Sequence, residues 1–268
     1  MWAREIAAVA ALVLGAVGAP VAPEAAPATV RVMTWNVHGS ADPPLGSVAR
    51  LILSEGVDVA ALQEVEEDQA REVEGLLRAH DGRWRSAWHP TGHDPLGPLP
   101  FTPPPEGHAI LSRFPLSEAR AWTLPQRDFH PRIVQRAVVA AGPTDVYVYN
   151  THLCRTPELD SVDRSCWARD QAGRTAQAEA VLRHVRDDGA AVWVLAGDMN
   201  ARPGSRPIDV LRHAGRDAWI ESRSVRRRAR IDYVFVRGVA VTSAKTPRSG
   251  VSDHLPVVAE LRLDDDGR

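Results

Sequence analysis

Acids, amides and histidines recur along this sequence at the ends of apolar runs, where a folded chain can expose them. They are Asn36, Glu64, His152, Asp198, Asn200, Asp232, Asp253 and His254. Carboxylate and amide oxygens without thiolates form a hard ligand set, which suits Mg²⁺, or Mn²⁺ or Ca²⁺, better than zinc or copper. Histidines beside such a set can move protons near neutral pH and donate to phosphoryl oxygens. The pattern therefore predicts metal-assisted hydrolysis of a phosphate ester.

Each of these residues also has a simpler explanation when it is taken alone. An Asp or Asn at the end of a strand most often caps a turn or a helix, and the segment 197–200 (GDMN) could be only a tight turn. A His at such a position is commonly a solvated side chain. The simpler explanation would have to hold at every position at once, so the joint pattern favours a site.

The apolar runs that lead into these residues predict strands that alternate with helices. The run 29–35 alternates apolar and polar residues, and the short runs 57–62, 145–149 and 190–196 end directly at polar residues. The strand-rich region 107–149 indicates antiparallel hairpins as well. We therefore expect an α/β protein with mixed sheets, rather than a purely parallel barrel.

Length and composition exclude several classes of protein. A chain of 268 residues that is 44% hydrophobic and 25% charged can bury a large core, and it is neither collagen-like, coiled-coil nor wholly disordered. The formal net charge of −2 provides no large basic field. Tight sequence-specific binding to DNA is therefore not expected.

The first 28 residues are typical of a secretory signal peptide followed by a spacer rich in proline and alanine. Arg4 precedes an apolar run, 6–19, that is shorter than the roughly 20 residues a membrane span needs. We predict a secreted or extracellular protein with one domain over 29–263 and an acidic tail over 264–268. An uncleaved membrane tether at the N-terminus is the less favoured alternative.

The two cysteines of the chain are Cys154 and Cys166. In an exported protein such a pair is predicted to form a disulfide, because cysteines that bind metal usually come in CxxC pairs with further partners. Cys154 follows His152 by two residues. The bridge would therefore hold a loop beside the predicted site.

Six segments resemble the motifs of the endonuclease/exonuclease/phosphatase superfamily, and they occur in the order of that family. They are 33–38 (MTWNVH), 62–64 (LQE), 150–153 (NTHL), 197–200 (GDMN), 230–235 (RIDYVF) and 252–257 (SDHLPV). The resemblance implies a four-layer α/β/β/α sandwich with two central mixed β-sheets, and a site at one edge of the sheets. It also implies a metal-dependent phosphoric ester hydrolase.

The resemblance assigns metal-binding and proton-transfer roles to five of the residues. Glu64 and Asn36 match the metal-binding residues of the family, and Asp253 lies close to that ion. His254 matches the catalytic histidine, and Asp232 matches the carboxylate that holds its imidazole ring.

The remaining matched residues concern water and phosphate. Asp198 matches the residue that activates or positions the attacking water, and Asn200 and His152 match the groups that hold the scissile phosphate. Members of the family differ over whether an Asp198-type or a His254-type residue is the base. The role is therefore assigned to the pair.

Two further residues, His38 and Arg136, are predicted to bind substrate. His38 stands two residues after Asn36, where abasic-site enzymes of the family tend to carry an acid, and this difference leaves the number of metal ions open. Arg136 is either a phosphate contact or an outward position on a strand.

The favoured function is an exported, Mg²⁺-dependent phosphodiesterase that uses in-line attack by water, and most favoured is a nuclease. The alternative is a sphingomyelinase-like or phosphoinositide phosphoesterase that acts on lipid head groups. A binding module without catalysis is disfavoured, because every chemical position holds a competent residue. We expect a monomer with no obligate protein partner.

Overall fold

Two β-sheets of six strands each form the centre of the protein in the computed structural model, which describes residues 29–38, 41–92, 105–125, 131–142, 144–155, 170–222 and 230–263. In chain order the strands are β1 (Thr29–Asn36), β2 (Val59–Val65), β3 (Arg85–Pro90), β4 (Gly107–Ser112), β5 (Leu116–Thr123), β6 (Ile133–Ala140), β7 (Asp145–His152), β8 (Trp193–Asp198), β9 (Arg216–Asp217), β10 (Asp232–Arg237), β11 (Ala240–Lys245) and β12 (Val257–Arg262). The first sheet has the order β11-β12-β1-β2-β4-β3, and the second has the order β5-β6-β7-β8-β10-β9.

Helices cover the outer face of each sheet. They are α1 (Leu45–Ser54), α2 (Glu67–His80), α3 (Asp170–Asp187) and α4 (Arg206–Ala214), whereas the short α5 (Ala218–Glu221) packs Ala218 and Trp219 against the apolar layer between the sheets. Buried residues of α1 and α2 pack on the first sheet, and those of α3 and α4 pack on the second. The result is the four-layer sandwich of helices, sheet, sheet and helices, so the prediction of the fold class is confirmed.

Alternation along the strands sorts their side chains between the two faces of each sheet. In β1, Val30 and Val32 belong to the apolar layer between the sheets, whereas Met33 and Trp35 pack under the helices. The period of two then turns Asn36 toward the gap between the sheets. By the same alternation, a polar residue at the end of a strand faces the gap when it lies an even number of residues beyond the apolar residues between the sheets.

The strand directions bring these polar ends to a single edge. Strands β1 and β2 are parallel, as are β7 and β8, and β8 pairs with β10 in the antiparallel sense. His152 therefore lies opposite Asp198 in the register, and Asp232 lies opposite the same residue on its other side. The chain reaches this edge again just before β12, where Val257 lies opposite Thr34.

Several predictions concern residues outside the described part of the chain. The signal segment (1–28), the acidic tail (264–268) and Cys166 all lie there. The domain bounds, the export of the protein and the disulfide stay predictions. Among the described helices, none combines the length and the apolar character required to cross a membrane.

Candidate active site

Residues from both sheets meet in the gap at this edge. Asn36 donates from Nδ2 to Glu64 Oε1 at 2.9 Å, and the same nitrogen lies 3.4 Å from Asp198 Oδ2. His152 lies between the two carboxylates, with Nδ1 3.6 Å from Glu64 Oε1 and Nε2 3.4 Å from Asp198 Oδ2. The first sheet supplies Asn36 and Glu64, and the second supplies His152 and Asp198. The packing of the sheets therefore assembles the site.

A histidine and an aspartate form a second pair at the same edge. His254 Nδ1 lies 3.0 Å from Asp232 Oδ2, and Nε2 lies 3.8 Å from Asp198 Oδ2. The loop that carries His254 is fixed to β1, because Trp35 Nε1 donates to the His254 carbonyl and Ser252 Oγ donates to the Asn36 carbonyl. The imidazole thus has one nitrogen on Asp232 and directs the other toward Asp198.

Asn200 orients His152. Its backbone N–H donates to Asp198 Oδ1 at 2.8 Å, and its side-chain Nδ2 contacts His152 Nε2 at 2.8 Å and donates to the Leu153 carbonyl at 3.0 Å. Both side-chain N–H groups of Asn200 are thus engaged, and His152 Nε2 accepts, which places its ring proton on Nδ1, facing Glu64. That Asn200 and His152 hold a phosphate stays a prediction.

Strained backbone supports the site at three points. His38, Glu64 and Asn200 have φ values of 55°, 50° and 46°, in the left-handed region that residues with a Cβ rarely adopt. Each such residue costs on the order of 1–3 kcal/mol and persists only where its surroundings impose it. At Glu64 the strain accompanies a bulge, since the β2–β4 register shifts between Gln63 and Val65.

The bulge decides which face of the sheet Glu64 occupies. Ala61 contributes to the layer between the sheets and Leu62 to the layer under the helices, so regular alternation would turn Glu64 toward the helices. The extra residue reverses this direction and brings the carboxylate into the gap. Strand periodicity alone places Asn36 and His152 correctly, but it does not place Glu64.

Burial and neighbouring charges set different protonation states in the site. Burial, together with the charge of Asp232, raises the pKa of Asp198 to about 7. Burial lowers the pKa of His254, but the hydrogen bond and charge of Asp232, with the charges of Asp198 and Asp253, outweigh it and raise the pKa to about 9. Burial and the positive charge of Arg132 hold the pKa of His152 well below 6.5. At pH 7 the site therefore contains one imidazolium, His254, and one neutral imidazole, His152.

The donor set fits a hard divalent cation. Within the described residues, none of the carboxylates Glu64, Asp198, Asp232 and Asp253 forms an ion pair with Lys or Arg. Ligand atoms of Asp198, Asp232 and His254 lie within 4.8 Å of one another. These close carboxylates have only the His254 imidazolium to offset their mutual repulsion, and a divalent cation held by oxygen ligands relieves it further.

Two of the predicted site residues lie on the rim. His38 Nδ1 is 3.5 Å from Asp253 Oδ1, and these side chains are 44% and 69% exposed, respectively. They face solvent beside the more buried residues. Their assigned roles in binding substrate and metal stay predictions.

Arg136 lies away from the others. Its guanidinium donates to Asp188 Oδ1 at 2.8 Å and to Glu118 Oε2 at 3.0 Å, and it lies over the rings of Trp122 and Tyr147. It belongs to the interface between the second sheet and the outer layer. Because both terminal nitrogens and the charge of Arg136 are engaged there, it is not retained as a substrate contact.

An arginine whose charge does act on the site is Arg132, which sequence reasoning missed. It is 9% exposed, and its Nε has no hydrogen-bond partner among the described residues. Its charge lowers the pKa of both His108 and His152, so the guanidinium lies near both rings. The available signal was its position just before β6, which pairs with the strand that ends at His152.

Cys154 is buried, and its backbone N–H donates to Gln177 Oε1 at 2.8 Å on α3. This contact ties the segment after His152 to the second helical layer. The predicted partner, Cys166, is outside the described residues.

Comparison with known proteins agrees with this geometry. The model of the endonuclease/exonuclease/phosphatase family matches residues 33–254, and the chain belongs to that family of phosphoesterases. Members of the family are generally dependent on divalent metals. No curated protein matches the chain.

Solved structures share the fold over most of the chain. An endonuclease/exonuclease/phosphatase of Beutenbergia cavernae DSM 12333 is 26% identical with a TM-score of 0.72, over 90% of this chain and 73% of its own. The human Nocturnin catalytic domain, with a bound sulfate anion, is 19% identical with a TM-score of 0.66, over 87% and 93%. A mannosyl-6-phosphatase of Bacteroides thetaiotaomicron VPI-5482 is 17% identical with a TM-score of 0.64, over 87% and 99%. The latter two likenesses concern the fold alone.

Proposed function

We propose that this protein is a Mg²⁺-dependent phosphodiesterase that cleaves its substrate by in-line attack of water, and that the substrate is nucleic acid. The observation that carries the proposal is the convergence of His254, held by Asp232, on Asp198 at 3.8 Å, beside Glu64 and Asn36 from the other sheet. A base, an acid and a cation-binding carboxylate then border one gap.

Glu64 and Asn36 would hold the cation, with Asp253 beside it on the rim. When bound, a divalent cation stabilises the negative charge that develops on the phosphoryl and leaving oxygens. The same residues accept Mn²⁺ or Ca²⁺, because oxygen ligands suit all three ions.

The protein's own groups divide the proton transfer. Asp198, with a pKa near 7, is ionised in a large fraction of molecules at neutral pH and accepts a proton from the attacking water. His254, with a pKa of about 9, carries a proton on Nε2 and donates to the developing negative charge. The proposal therefore makes Asp198 the base, a role that the sequence left to Asp198 and His254 together.

Charge favours a diester over a monoester. Among the described residues, the cationic groups whose charges act on His152 are the guanidiniums of Arg132 and Arg155 and the imidazolium of His254. A phosphomonoester is mostly a dianion at neutral pH, whereas a diester carries one charge. A site with several carboxylates and few cations accommodates the monoanion at a lower electrostatic cost.

The test uses the purified domain with Mg²⁺ and a panel of plasmid DNA, RNA, sphingomyelin vesicles and inositol phosphates, with EDTA and Asp198→Ala as controls. We expect cleavage of nucleic acid that EDTA and Asp198→Ala abolish, with a KM that rises steeply as salt is added. Cleavage of sphingomyelin or phosphoinositides instead would establish the lipid alternative. Turnover of phosphomonoesters alone would refute the diesterase.

We also propose export, which rests on the sequence of residues 1–28, and a disulfide between Cys154 and Cys166. Mass spectrometry of the protein secreted by its source should find a chain without that segment and with both thiols oxidised. Cys154→Ser is expected to reduce kcat before it prevents folding, since Cys154 lies two residues after His152. Unchanged kinetics in this variant would argue against a disulfide that supports the site.

A further inference from the structure

Two buried amides join the sheets one layer below the site. Gln63 on β2 and Asn150 on β7 are each 0% exposed, and Gln63 Nε2 donates to Asn150 Oδ1 at 2.7 Å. Asn150 Nδ2 in turn donates to the Leu62 carbonyl at 2.8 Å and the Ala109 carbonyl at 3.1 Å, both in the first sheet. We refer to Gln63 and Asn150 as the cross-sheet tie.

The tie is polar, whereas most of the layer between the sheets is apolar, with side chains such as Val32, Ala61, Val148 and Ala196. Gln135 on β6 is also buried in this layer and donates from Nε2 to the Ala87 carbonyl of the first sheet at 2.8 Å, but it does not adjoin site residues of both sheets as the tie does. Replacing both partners of a buried hydrogen bond by apolar groups of similar shape is often nearly neutral for stability. Two fully buried amides at this level therefore call for an explanation other than stability.

Their position supplies that explanation. Gln63 directly precedes Glu64, and Asn150 precedes His152 by two residues on the same face of its strand. Gln63 Nε2 also donates to Thr34 Oγ1 at 3.0 Å, two residues before Asn36. The tie thus lies directly beneath site residues of both sheets.

The hydrogen bonds of the tie can fix the position of one sheet relative to the other, which apolar contacts do not. Apolar contacts are non-directional and tolerate small sliding of one sheet over the other. A hydrogen bond weakens steeply when its length or angle changes, so it defines both the separation and the register of the groups it joins. At the site, the contacts across the gap include the 3.6 Å between Glu64 and His152 and the 3.4 Å between Asn36 and Asp198.

We propose that Gln63 and Asn150 are positioning residues, which set the spacing of the two sheets at the site edge and thereby hold Glu64 at its working distance from His152 and Asp198. The inference rests on the proposed function, because it concerns the same site. It assigns no contact with substrate to either residue.

The test compares Asn150→Leu, Gln63→Leu and the double variant with wild type. Each is assayed with bis(4-nitrophenyl) phosphate and Mg²⁺, and Mn²⁺ binding is measured by electron paramagnetic resonance, without turnover. We expect Asn150→Leu to lower kcat and the affinity for Mn²⁺ by about tenfold or more, the usual scale for groups that orient metal ligands, with a much smaller change in KM. The double variant should be no worse than Asn150→Leu, since the tie is already broken.

Thr151→Val is the matched control. Thr151 is also 0% exposed on β7, but its Oγ1 donates to the Ile133 carbonyl at 2.8 Å within its own sheet. Its loss removes a buried hydrogen bond of the same strand without touching the tie. We expect reduced stability to urea with kcat and Mn²⁺ affinity close to wild type.

A crystal structure of Asn150→Leu separates this inference from the proposed function. A Glu64–His152 separation wider than 3.6 Å is expected whether or not the wild type cleaves a phosphodiester. The proposal is overturned if the separation is unchanged, or if folded Asn150→Leu retains wild-type kcat and Mn²⁺ affinity. It is equally overturned if Thr151→Val loses as much of both as Asn150→Leu does.

Discussion

At the scale of single residues, environment gives identical side chains different roles. His254 lies against Asp232 and carries a charge, whereas His152 lies near the charge of Arg132 in a buried position and stays neutral. Asn200 completes this assignment by directing a donor at His152 Nε2. Two histidines in one gap therefore act as an imidazolium and as a neutral ring.

Removing the charged histidine should affect the chemical step. We expect His254→Ala to lower kcat by at least about a hundredfold, because it removes the donor to the developing charge. Steady-state kinetics on a phosphodiester, with circular dichroism to verify folding, tests this. Near-normal turnover would refute the assignment of His254.

Variants of Arg132 and Arg136 should distinguish an effect on substrate binding from an effect on stability. Arg132→Leu is expected to raise KM about tenfold or more with a smaller effect on kcat, because it removes a cation near His152 that binds substrate and transition state alike. Arg136→Leu should instead destabilise the fold by about 3 kcal/mol, because it removes the buried guanidinium and leaves the half-buried Asp188 without its cation. Kinetics and urea unfolding of both variants decide the question. A raised KM in Arg136→Leu alone would reverse our assignment.

At the scale of elements, parallel pairing requires a close approach of strands beneath the site. A Cβ on Gly197, whose φ is 157°, would lie 1.9 Å from the Thr151 carbonyl oxygen on β7. Only glycine allows β7 and β8 to pair here, and this pairing sets His152 opposite Asp198. The glycine before Asp198 therefore belongs to the construction of the site.

Gly197→Ala should consequently lower both stability and activity. We expect a loss of about 3 kcal/mol in the free energy of unfolding, the upper range for overpacking a close contact, together with a fall in kcat. Gly75→Ala is the control. A Cβ at this position in α2 meets nothing within 4 Å, and alanine has a higher helix propensity than glycine. Urea unfolding should show the control equal to or more stable than wild type. A stable, active Gly197→Ala would contradict the close approach.

At the scale of the whole molecule, the ionisable groups are unevenly distributed, although the formal net charge is only −2. Acids gather at one edge of the sandwich, while a buried histidine, His108 on β4, lies in the layer between the sheets. Burial, with the charge of Arg132, lowers the pKa of His108 to about 3. The fold therefore keeps this ring neutral at a pH where an unfolded chain would protonate it.

That difference makes stability depend on pH. The unfolded chain takes up a proton on His108 below about pH 6.5, whereas the folded protein does so only near pH 3, so stability falls as the pH falls through this window. The loss from this group is at most about 1.4 kcal/mol per pH unit. Urea unfolding at pH 7 and pH 4.5 should show that the free energy of unfolding falls less between these pH values in His108→Phe than in wild type. Equal losses would show that His108 is not the titrating group.

The sequence by itself determined the chemistry and the family. Hard oxygen ligands, two histidines and the order of six short segments indicated a phosphoesterase, and strand periodicity placed Asn36, His152 and Asp198 at one edge. These signals are local, because a period of two and a polar strand end can be read within a few residues. They also led to Arg136, since a strand pattern does not say which arginine finds an acidic partner.

Only the tertiary structure decided the rest. The bulge turns Glu64 into the gap, and Gln63 meets Asn150 87 residues away. Arg136 pairs with Asp188 and Glu118, whereas Arg132 lies where its charge acts on His152. These outcomes depend on how two sheets pack, which is set by contacts between distant segments. Local patterns carry no record of such contacts, because each segment meets its partner only once the sheets have closed on each other.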